Sequence, residues 1–210
     1  LQVARAAPDG YTVMWATVGE TVVYRYLSRN QPYDSVKDFT PLMAAVSGVT
    51  LLVAHPATPG GNLREMIDYA RANPGKLAYG SNGIGSSYHL LMELIKTRHS
   101  LDITHVPYKA GSDALIAVVA KQIPIAFAPA GSAFSNVKAG KVRMLAVLDS
   151  KRFPGLPDIP SMSEQVADYE PTPGNMWMYG PSGMPAPLVG RLQSELARAG
   201  QSQEIGRAHV

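Results

Sequence analysis

The sequence predicts an α/β fold with a largely parallel sheet, because short apolar segments alternate with helical patterns along most of the chain. Residues 49–54 form a continuous apolar run that His55-Pro56 ends, which is typical of a strand buried on both faces. Residues 63–73 repeat apolar side chains at helical spacing, and Pro74-Gly75 stops that helix. The next apolar strand, residues 77–79, leads into a glycine-rich loop and a further helix.

The later elements continue this alternation. Strands are predicted over residues 103–106, 123–128 and 142–148, and a helix over residues 113–120. Beyond Asp149, closely spaced prolines predict covering loops with short elements, and a last helix follows over residues 187–199. Four apolar residues of the central helix are predicted to lie in the core: Leu90, Leu91, Leu94 and Ile95.

The start of the chain predicts a first strand and a possible ligand contact. Residues 1–7 are interpreted as the end of a helix, and Pro8-Asp9-Gly10 as a turn before a strand over residues 11–16. Thr17 and Gly19 follow that strand, and ligands collect at the carboxyl ends of strands in open α/β sheets. A turn-forming role for Thr17 is the alternative. Glu20 is an unfavourable neighbour for an anion.

The segment 77–93 carries the clearest binding hypothesis. The first turn of a helix leaves backbone N–H groups unpaired at the positive end of the helix dipole, so it can hold a carboxylate or phosphate. Glycines allow the loop before such a helix to approach a ligand closely. The alternative is a capped connection without a ligand. The candidate residues here are Ser81, Asn82, Gly83, Ile84, Gly85, Ser86, Ser87 and His89.

Known nucleotide motifs fit this loop poorly. Gly80 and Gly85 have P-loop spacing, but Ser86 stands where that motif needs lysine. A dinucleotide fingerprint would need a further glycine after Gly85, and Asp102 precedes the next strand instead of ending it. Nucleotide binding is therefore the weaker interpretation.

Composition indicates a globular protein, with 46% hydrophobic and 17% charged residues. The net charge of +3 is mild and its cations are scattered, which argues against a nucleic-acid partner. The absence of cysteine excludes disulfides and cysteine-ligated zinc. No apolar run reaches the roughly 18 residues that span a bilayer, so no membrane insertion is expected.

The sequence contains no recognisable catalytic constellation. Among the histidines, no pair has the spacing of a helical zinc site, and no G-x-S-x-G elbow occurs. Ser135 and Lys138 match S-x-x-K without its companion motifs, so a short surface helix explains them better. We therefore expect no catalytic residue, no metal and no cofactor.

Several motifs, taken in order, resemble those of the periplasmic substrate-binding receptors of tripartite tricarboxylate transporters, the Bug-type extracytoplasmic solute receptors. The resemblance covers nearly the whole chain. The motifs are Pro8-Asp9-Gly10-Tyr11-Thr12, Pro32-Tyr33-Asp34 with Lys37-Asp38-Phe39, Tyr79-Gly80-Ser81 to His89, His105-Val106-Pro107-Tyr108-Lys109, Lys138-Ala139-Gly140-Lys141, Ala146-Val147 with Lys151-Arg152, Leu156-Pro157-Asp158-Ile159-Pro160-Ser161, and Trp177 with Pro181-Ser182-Gly183-Met184-Pro185.

The resemblance implies a type II periplasmic-binding-protein-like fold, in which two α/β lobes joined by two crossing strands close on a ligand. Residues 1–50 would form an incomplete first lobe and residues 51–148 the second lobe. Residues 149–203 would return to the first lobe. Residues 204–210 resemble adapter read-through and are interpreted as a non-native tail.

The resemblance also implies a function. Such receptors hold a small carboxylate through backbone N–H groups and hydroxyls of both lobes, and they deliver it from the periplasm to membrane transporter subunits. We expect a monomer. By position, Thr17 and Gly19 would contribute from the first lobe, and the residues from Ser81 to Ser87, with Tyr108, Lys109 and Ala128, from the second.

Three departures from the family pattern are expected to matter. The family's opening strand and its loop would lie before Leu1, and Glu20 replaces a small residue. Ala128-Pro129 stands where many members have Asp-Asn. Two alternatives stay open: an α/β enzyme binding a phosphorylated substrate or nucleotide at residues 80–87, and a ligand sensor for a signalling partner.

Overall fold

The computed structural model describes residues 1–28, 30–167, 169 and 175–201. The predicted tail at residues 204–210 lies outside them. The chain divides into two compact units, Leu1–Ser47 with Pro173–Val210, and Gly48–Thr172. In chain order the elements are a 3-10 turn (Val3–Arg5), β1 (Met14–Ala16), a π-helical segment (Gly19–Val23), α1 (Tyr24–Leu27), β2 (Phe39–Ser47), β3 (Thr50–Ala54), α2 (Leu63–Ala72), β4 (Leu77–Ser81), α3 (Ser87–His99), β5 (Ile103–Pro107), α4 (Gly111–Val119), β6 (Ile125–Pro129), α5 (Ala130–Lys138), β7 (Arg143–Val147), α6 (Met162–Gln165), β8 (Asn175–Pro181) and α7 (Ala186–Gly200).

A five-stranded mixed sheet organises the second unit, in the order β5-β4-β6-β3-β7. β4 is parallel to β5 and β6, whereas β3 is antiparallel to both of its neighbours. The expectation of a largely parallel sheet is therefore corrected at β3. Its continuous apolar sequence reflects burial of both faces, a condition that parallel sheets usually meet and that this antiparallel strand meets too.

Two hydrophobic cores lie on opposite faces of this sheet. Every residue of β3 is buried, and its side chains alternate between the cores. Leu52 and Ala54 join the core that contains residues of α2 and α3, while Leu51 and Val53 join the core that contains residues of α4. The prediction of a strand buried on both faces is confirmed.

The helix α3 buries a different stripe from the predicted one. Leu91 and Ile95 are buried as expected, together with Met92, but Leu90 and Leu94 are 38% and 41% exposed. Adjacent helical positions differ by about 100°, so the 90/94 stripe turns away from the sheet when the 91/95 stripe faces it. An apolar pattern alone did not show which of the two stripes is inside.

The first unit contains an antiparallel three-stranded sheet, β1-β8-β2. Leu42 and Met178 from the sheet form its small core with Met184, and leucines of α7 pack against them. The strand predicted over residues 11–16 is shorter than expected, and the helix end predicted over residues 1–7 is only a 3-10 turn. β8 was not predicted, because it lies in the proline-rich stretch that indicates loops.

Residues 149–167 belong to the second unit, although we expected the chain to return to the first lobe at residue 149. Val147 forms a parallel bridge with Ser161. Gln165 donates to the Leu145 carbonyl at 2.9 Å and accepts from the Leu63 N–H at 3.0 Å. The Val147–Ser161 bridge and the two bonds of the Gln165 side chain hold the proline-rich loop and α6 on the second unit, so the unit boundary falls after this segment.

Candidate functional site

The glycine loop between β4 and α3 is built around a helix cap. Ser86 is the N-cap of α3, its Oγ accepts from the His89 N–H at 3.3 Å, and it donates to the Gly83 carbonyl at 2.7 Å. Gly83 and Gly85 have φ values of +113° and +78°, which L side chains rarely adopt. The predicted helix start at Ser86 or Ser87 is confirmed, and the two glycines are required by the backbone.

Free donors remain at the first turn of α3. The N–H groups of Ser87 and Tyr88 have no hydrogen-bond partner in the part of the chain that the structure describes. They occupy the first two helical positions, where the helix dipole favours an anion. The N–H groups of Gly83, Gly85 and His89 are instead engaged inside the loop.

Ser81 is fully buried and holds the loop from within. Its Oγ lies 2.7 Å from Nε2 of His105, accepts from the Gly83 N–H at 3.2 Å and reaches the Gly83 carbonyl at 3.1 Å. We therefore reinterpret Ser81 as a support of the loop instead of a ligand contact. Asn82 and Ile84 are exposed at the loop, with Ile84 77% exposed.

His105 was not among the predicted site residues, yet it is central to this loop. It lies beside Tyr79 in the parallel register of β4 and β5, and their rings stack with centroids 4.8 Å apart. The ring of His89 also stacks on the ring of His105, with centroids 4.2 Å apart. Tyr79 and His105 are each the third residue of their strands, which begin at Leu77 and Ile103. Aligning the two strands would therefore have indicated this pair.

A polar network ends this stack on α3. The Tyr79 hydroxyl donates to Glu93 at 3.0 Å, and the Lys96 ammonium donates to the same carboxylate oxygen at 2.7 Å. Burial raises the pKa of Tyr79, and its bond to Glu93 adds to that effect. Burial opposes ionisation of Glu93, but hydrogen bonds from Lys96 and Tyr79 outweigh it and lower the pKa of Glu93.

Burial, followed by the nearby His89, lowers the pKa of His105 below its ordinary value of about 6.5. Glu93 opposes this shift, and Lys96 adds to it. This shift favours the neutral form of the His105 ring. A neutral ring can make the contact with the Ser81 hydroxyl.

Tyr88 anchors the first turn of α3 to the sheet. Its hydroxyl lies 2.8 Å from Oγ1 of Thr50 in β3, and its ring stacks on Phe127 of β6 at 5.3 Å. Burial raises the pKa of Tyr88, against the smaller effect of the bond to Thr50. These contacts fix the direction of the free Ser87 and Tyr88 N–H groups relative to the sheet.

The predicted contacts after β5 and β6 differ in accessibility. The Tyr108 N–H donates to the Ser81 carbonyl at 3.0 Å, and its half-buried ring packs against the second core. Lys109 is exposed next to it. Ala128 is fully buried in β6, so it offers no surface to a ligand, and we remove it from the site.

Thr17 and Gly19 belong to the first unit, and their donors are used locally. The Glu20 carboxylate accepts from the Thr17 N–H at 2.8 Å and from the Thr17 hydroxyl. The Gly19 N–H donates to Oγ1 of Thr17 at 3.2 Å. The Glu20 side chain thus reaches back to the backbone N–H three residues before it, as in one half of a capping box, and it places an internal carboxylate on the groups expected to bind a ligand.

Within the described residues, no group of three or more His, Asp or Glu side chains is placed to hold a metal ion. No helix in the described ranges is both long and apolar enough to cross a bilayer.

Comparison with known proteins places this geometry in a family. The model of the tripartite tricarboxylate transporter family receptor matches residues 1–207. A UPF0065 protein of Bordetella pertussis is 36% identical over 194 residues, covering 91% of this chain and 59% of that protein. Protein BugT of Bordetella pertussis is 26% identical over 208 residues, covering 98% of this chain and 63% of BugT.

Solved structures agree with the sequence matches. An Rhodopseudomonas palustris protein determined with bound malate, MatC, superposes with a TM-score of 0.84 at 27% identity, covering 99% of this chain and 70% of MatC. An R. palustris protein determined with adipate superposes with a TM-score of 0.86 at 30% identity, covering 97% of this chain and 68% of that one. The periplasmic binding protein BugD superposes with a TM-score of 0.80 at 28% identity, covering 99% of this chain and 69% of BugD.

The chain spans 59% of the length of the first Bordetella relative. Over that span, the family match runs through both units and includes the loop before α3. The fold is that of the periplasmic binding proteins it superposes on, which confirms the predicted type II class. The chain belongs to the tripartite tricarboxylate transporter receptor family.

Proposed function

We propose that this protein is an extracytoplasmic solute receptor that binds a small carboxylate and delivers it to a tripartite tricarboxylate-type membrane transporter. The observation that carries the proposal is the start of α3, where the Ser87 and Tyr88 N–H groups are without partners among the described residues. Relatives of similar fold were determined with malate and adipate. Both are carboxylates that such donors would hold.

In this proposal the two units are the two lobes, which close on the ligand. The second lobe supplies the Ser87 and Tyr88 N–H groups, with Tyr108 and the exposed Lys109 near the same strand ends. Thr17 and Gly19 would contribute from the first lobe by exchanging their bonds with Glu20 for bonds to the ligand. The receptor works in the periplasm as a monomer.

An enzyme at the same loop is the weaker function. Catalysis would need a free base or nucleophile near the ligand. Two of the candidate groups are instead committed to the structure of the loop: Nδ1 of His89 accepts from Gly85, and Oγ of Ser86 caps α3. A receptor is therefore expected to bind ligand saturably without consuming it.

The proposal is tested by deleting one of the free N–H groups. Ser87 is the first residue of α3, where proline is compatible with a helix, and Ser86 already has the extended backbone (φ −66°, ψ 158°) that proline requires of its predecessor. Ser87→Pro removes the N–H, and Ser87→Ala removes only the hydroxyl. Affinity for malate, adipate and citrate is measured by calorimetry, with ATP as the test of the enzyme alternative.

We expect Ser87→Pro to weaken carboxylate binding about tenfold, because an anion loses a charge-assisted donor, while Ser87→Ala stays near wild type. Far-UV circular dichroism verifies that α3 persists. Equal affinity of both variants would remove this loop from the site. Binding of ATP without binding of any carboxylate would favour the enzyme.

A further inference from the structure

The contact between His89 and Gly85 requires one protonation state of the imidazole. The Gly85 N–H donates to Nδ1 of His89 at 3.1 Å. An N–H can only donate, so Nδ1 must carry a lone pair and the ring proton must be on Nε2. Protonation of Nδ1 would place two N–H groups against each other and end this bond.

The stack around His89 would amplify that change. His89 lies 4.2 Å from His105, ring centroid to ring centroid, and His105 in turn supports Ser81 and thereby Gly83. The charged or titratable groups facing the pair are Tyr79 from β4 and Glu93 and Lys96 from α3. Glu93 is already paired with Lys96, and its attraction to His89 is the smallest of the effects that lower the pKa of Glu93.

We propose that His89 is a positioning residue for the carboxylate loop, and that protonation of its ring releases Gly85 and weakens ligand binding in acid. This inference rests on the proposed function. Gly85 immediately precedes the Ser86 cap and has a left-handed backbone, so its position sets the entry of the chain into α3. Releasing it displaces the free N–H groups that follow. The lowered pKa of His105 is consistent with this, because burial disfavours a charged stack.

Two variants of His89 distinguish the effect of its hydrogen-bond acceptor from the effect of its titratable ring. His89→Asn provides a side-chain oxygen near the position of Nδ1 but does not titrate. His89→Leu keeps most of the volume and removes the acceptor. Affinity for malate and adipate is measured by calorimetry at about pH 7.5 and about pH 5.5, which bracket the ordinary range of histidine titration.

The wild type is expected to bind about tenfold more weakly at the lower pH, through loss of the part-buried Gly85–His89 hydrogen bond. His89→Asn should bind more tightly than His89→Leu at the higher pH and lose the pH dependence that His89 causes. His89→Leu should bind weakly at both. Titration of the ligand is the same for all three proteins, so a wild-type pH profile that persists in His89→Asn would overturn the proposal.

A readout without ligand keeps this inference separate from the proposed function. Nitrogen-15 spectra of the histidine rings should show His89 as the Nε2–H tautomer at neutral pH, and the Gly85 amide signal should shift as His89 is protonated. A Gly85 signal indifferent to that protonation contradicts the positioning role even if carboxylates bind. A coupled Gly85 signal in a protein that binds no carboxylate retains the His89–Gly85 coupling and refutes the receptor function.

Discussion

Glu20 is the residue whose chemistry bears most directly on ligand choice. Its carboxylate occupies the Thr17 N–H and hydroxyl, which are the donors expected from the first lobe. A ligand carboxylate approaching these groups would meet a negative charge and would have to displace it. Under the proposed function, Glu20 would favour a ligand that brings an amino or hydroxyl group to this point, or a monoanion over a dianion.

We predict that Glu20→Gln tightens malate binding by about fivefold, because glutamine can still accept from the Thr17 N–H while the repulsion is removed. The gain should shrink as salt is raised, since exposed charges are screened. Calorimetry at low and high ionic strength measures both effects. Glu195→Gln, on exposed α7 of the same unit, is the control, and an equal gain there would show a general charge effect.

Gly80 is required because there is no room for a side chain at this position, and not because of its backbone conformation. A Cβ at this position would lie 2.7 Å from Cδ1 of Ile123 and 2.9 Å from Cβ of Ala114. We predict that Gly80→Ala lowers the free energy of unfolding by about 2 kcal/mol through overpacking. Gly131→Ala, in α5 with no atom within 4 Å of its Cβ, should raise it by about 0.5 kcal/mol.

Urea denaturation followed by circular dichroism measures both variants. If Gly80→Ala unfolded at the same urea concentration as wild type, the result would contradict the close packing of Gly80 against Ala114 and Ile123.

At the scale of elements, α6 shows how a short helix can hold a long loop. Ser161 and Glu164 form a capping box, and the Arg152 guanidinium contacts both oxygens of Glu164 at 2.7 to 3.0 Å. These bonds, the one to Arg152 first, lower the pKa of Glu164 to about 2. The proline-rich loop is thereby joined to the start of α6.

We predict that part of the stability is lost as pH falls from about 4.5 to about 2. The folded-state pKa of Glu164 lies below the ordinary value, so the unfolded chain binds more protons in this window and acid favours unfolding. Glu164→Gln keeps a capping side chain and should flatten this part of the profile. Arg152→Gln should do the same by removing the main cause. Urea midpoints across this pH range measure it, and unchanged acid profiles in both variants would contradict the assignment.

In the loop between β4 and α3, side chains and backbone have different roles, which the loop motif alone did not indicate. The polar groups of Ser81, Ser86 and His89 build the loop, and the Ser87 and Tyr88 backbone is left for a ligand. In the proposed site, these side chains support the loop, and the backbone N–H groups hold the ligand. This arrangement suits a receptor, because donors held in place before binding lose little freedom on binding.

At the scale of the whole molecule, the chain passes between its two units twice. In the proposed receptor, hinge closure around the ligand would make the protein more compact. We predict that a bound carboxylate reduces the radius of gyration, which small-angle X-ray scattering measures with and without saturating malate. Ser87→Pro, at the same malate concentration, is the control for nonspecific effects. Saturable binding with an unchanged radius would rule out closure as the binding mechanism.

The sequence by itself determined the α/β class, the helix start after the glycine loop, the family, and the anion-binding hypothesis. Each depends on local features: apolar periodicity, a serine cap, and glycines where the backbone adopts positive φ. Ordered motifs along the chain carried the family, because each of them is readable without knowing which elements are neighbours.

Only the tertiary structure decided which residues meet. The stacking of His105 on Tyr79 and His89 depends on the parallel register of two strands separated by a whole helix. The reversed direction of β3, the exposure of Leu90 and Leu94 and the burial of Ser81 and Ala128 likewise depend on what packs against each element. Such contacts join residues far apart in sequence, and a local pattern does not specify the partner.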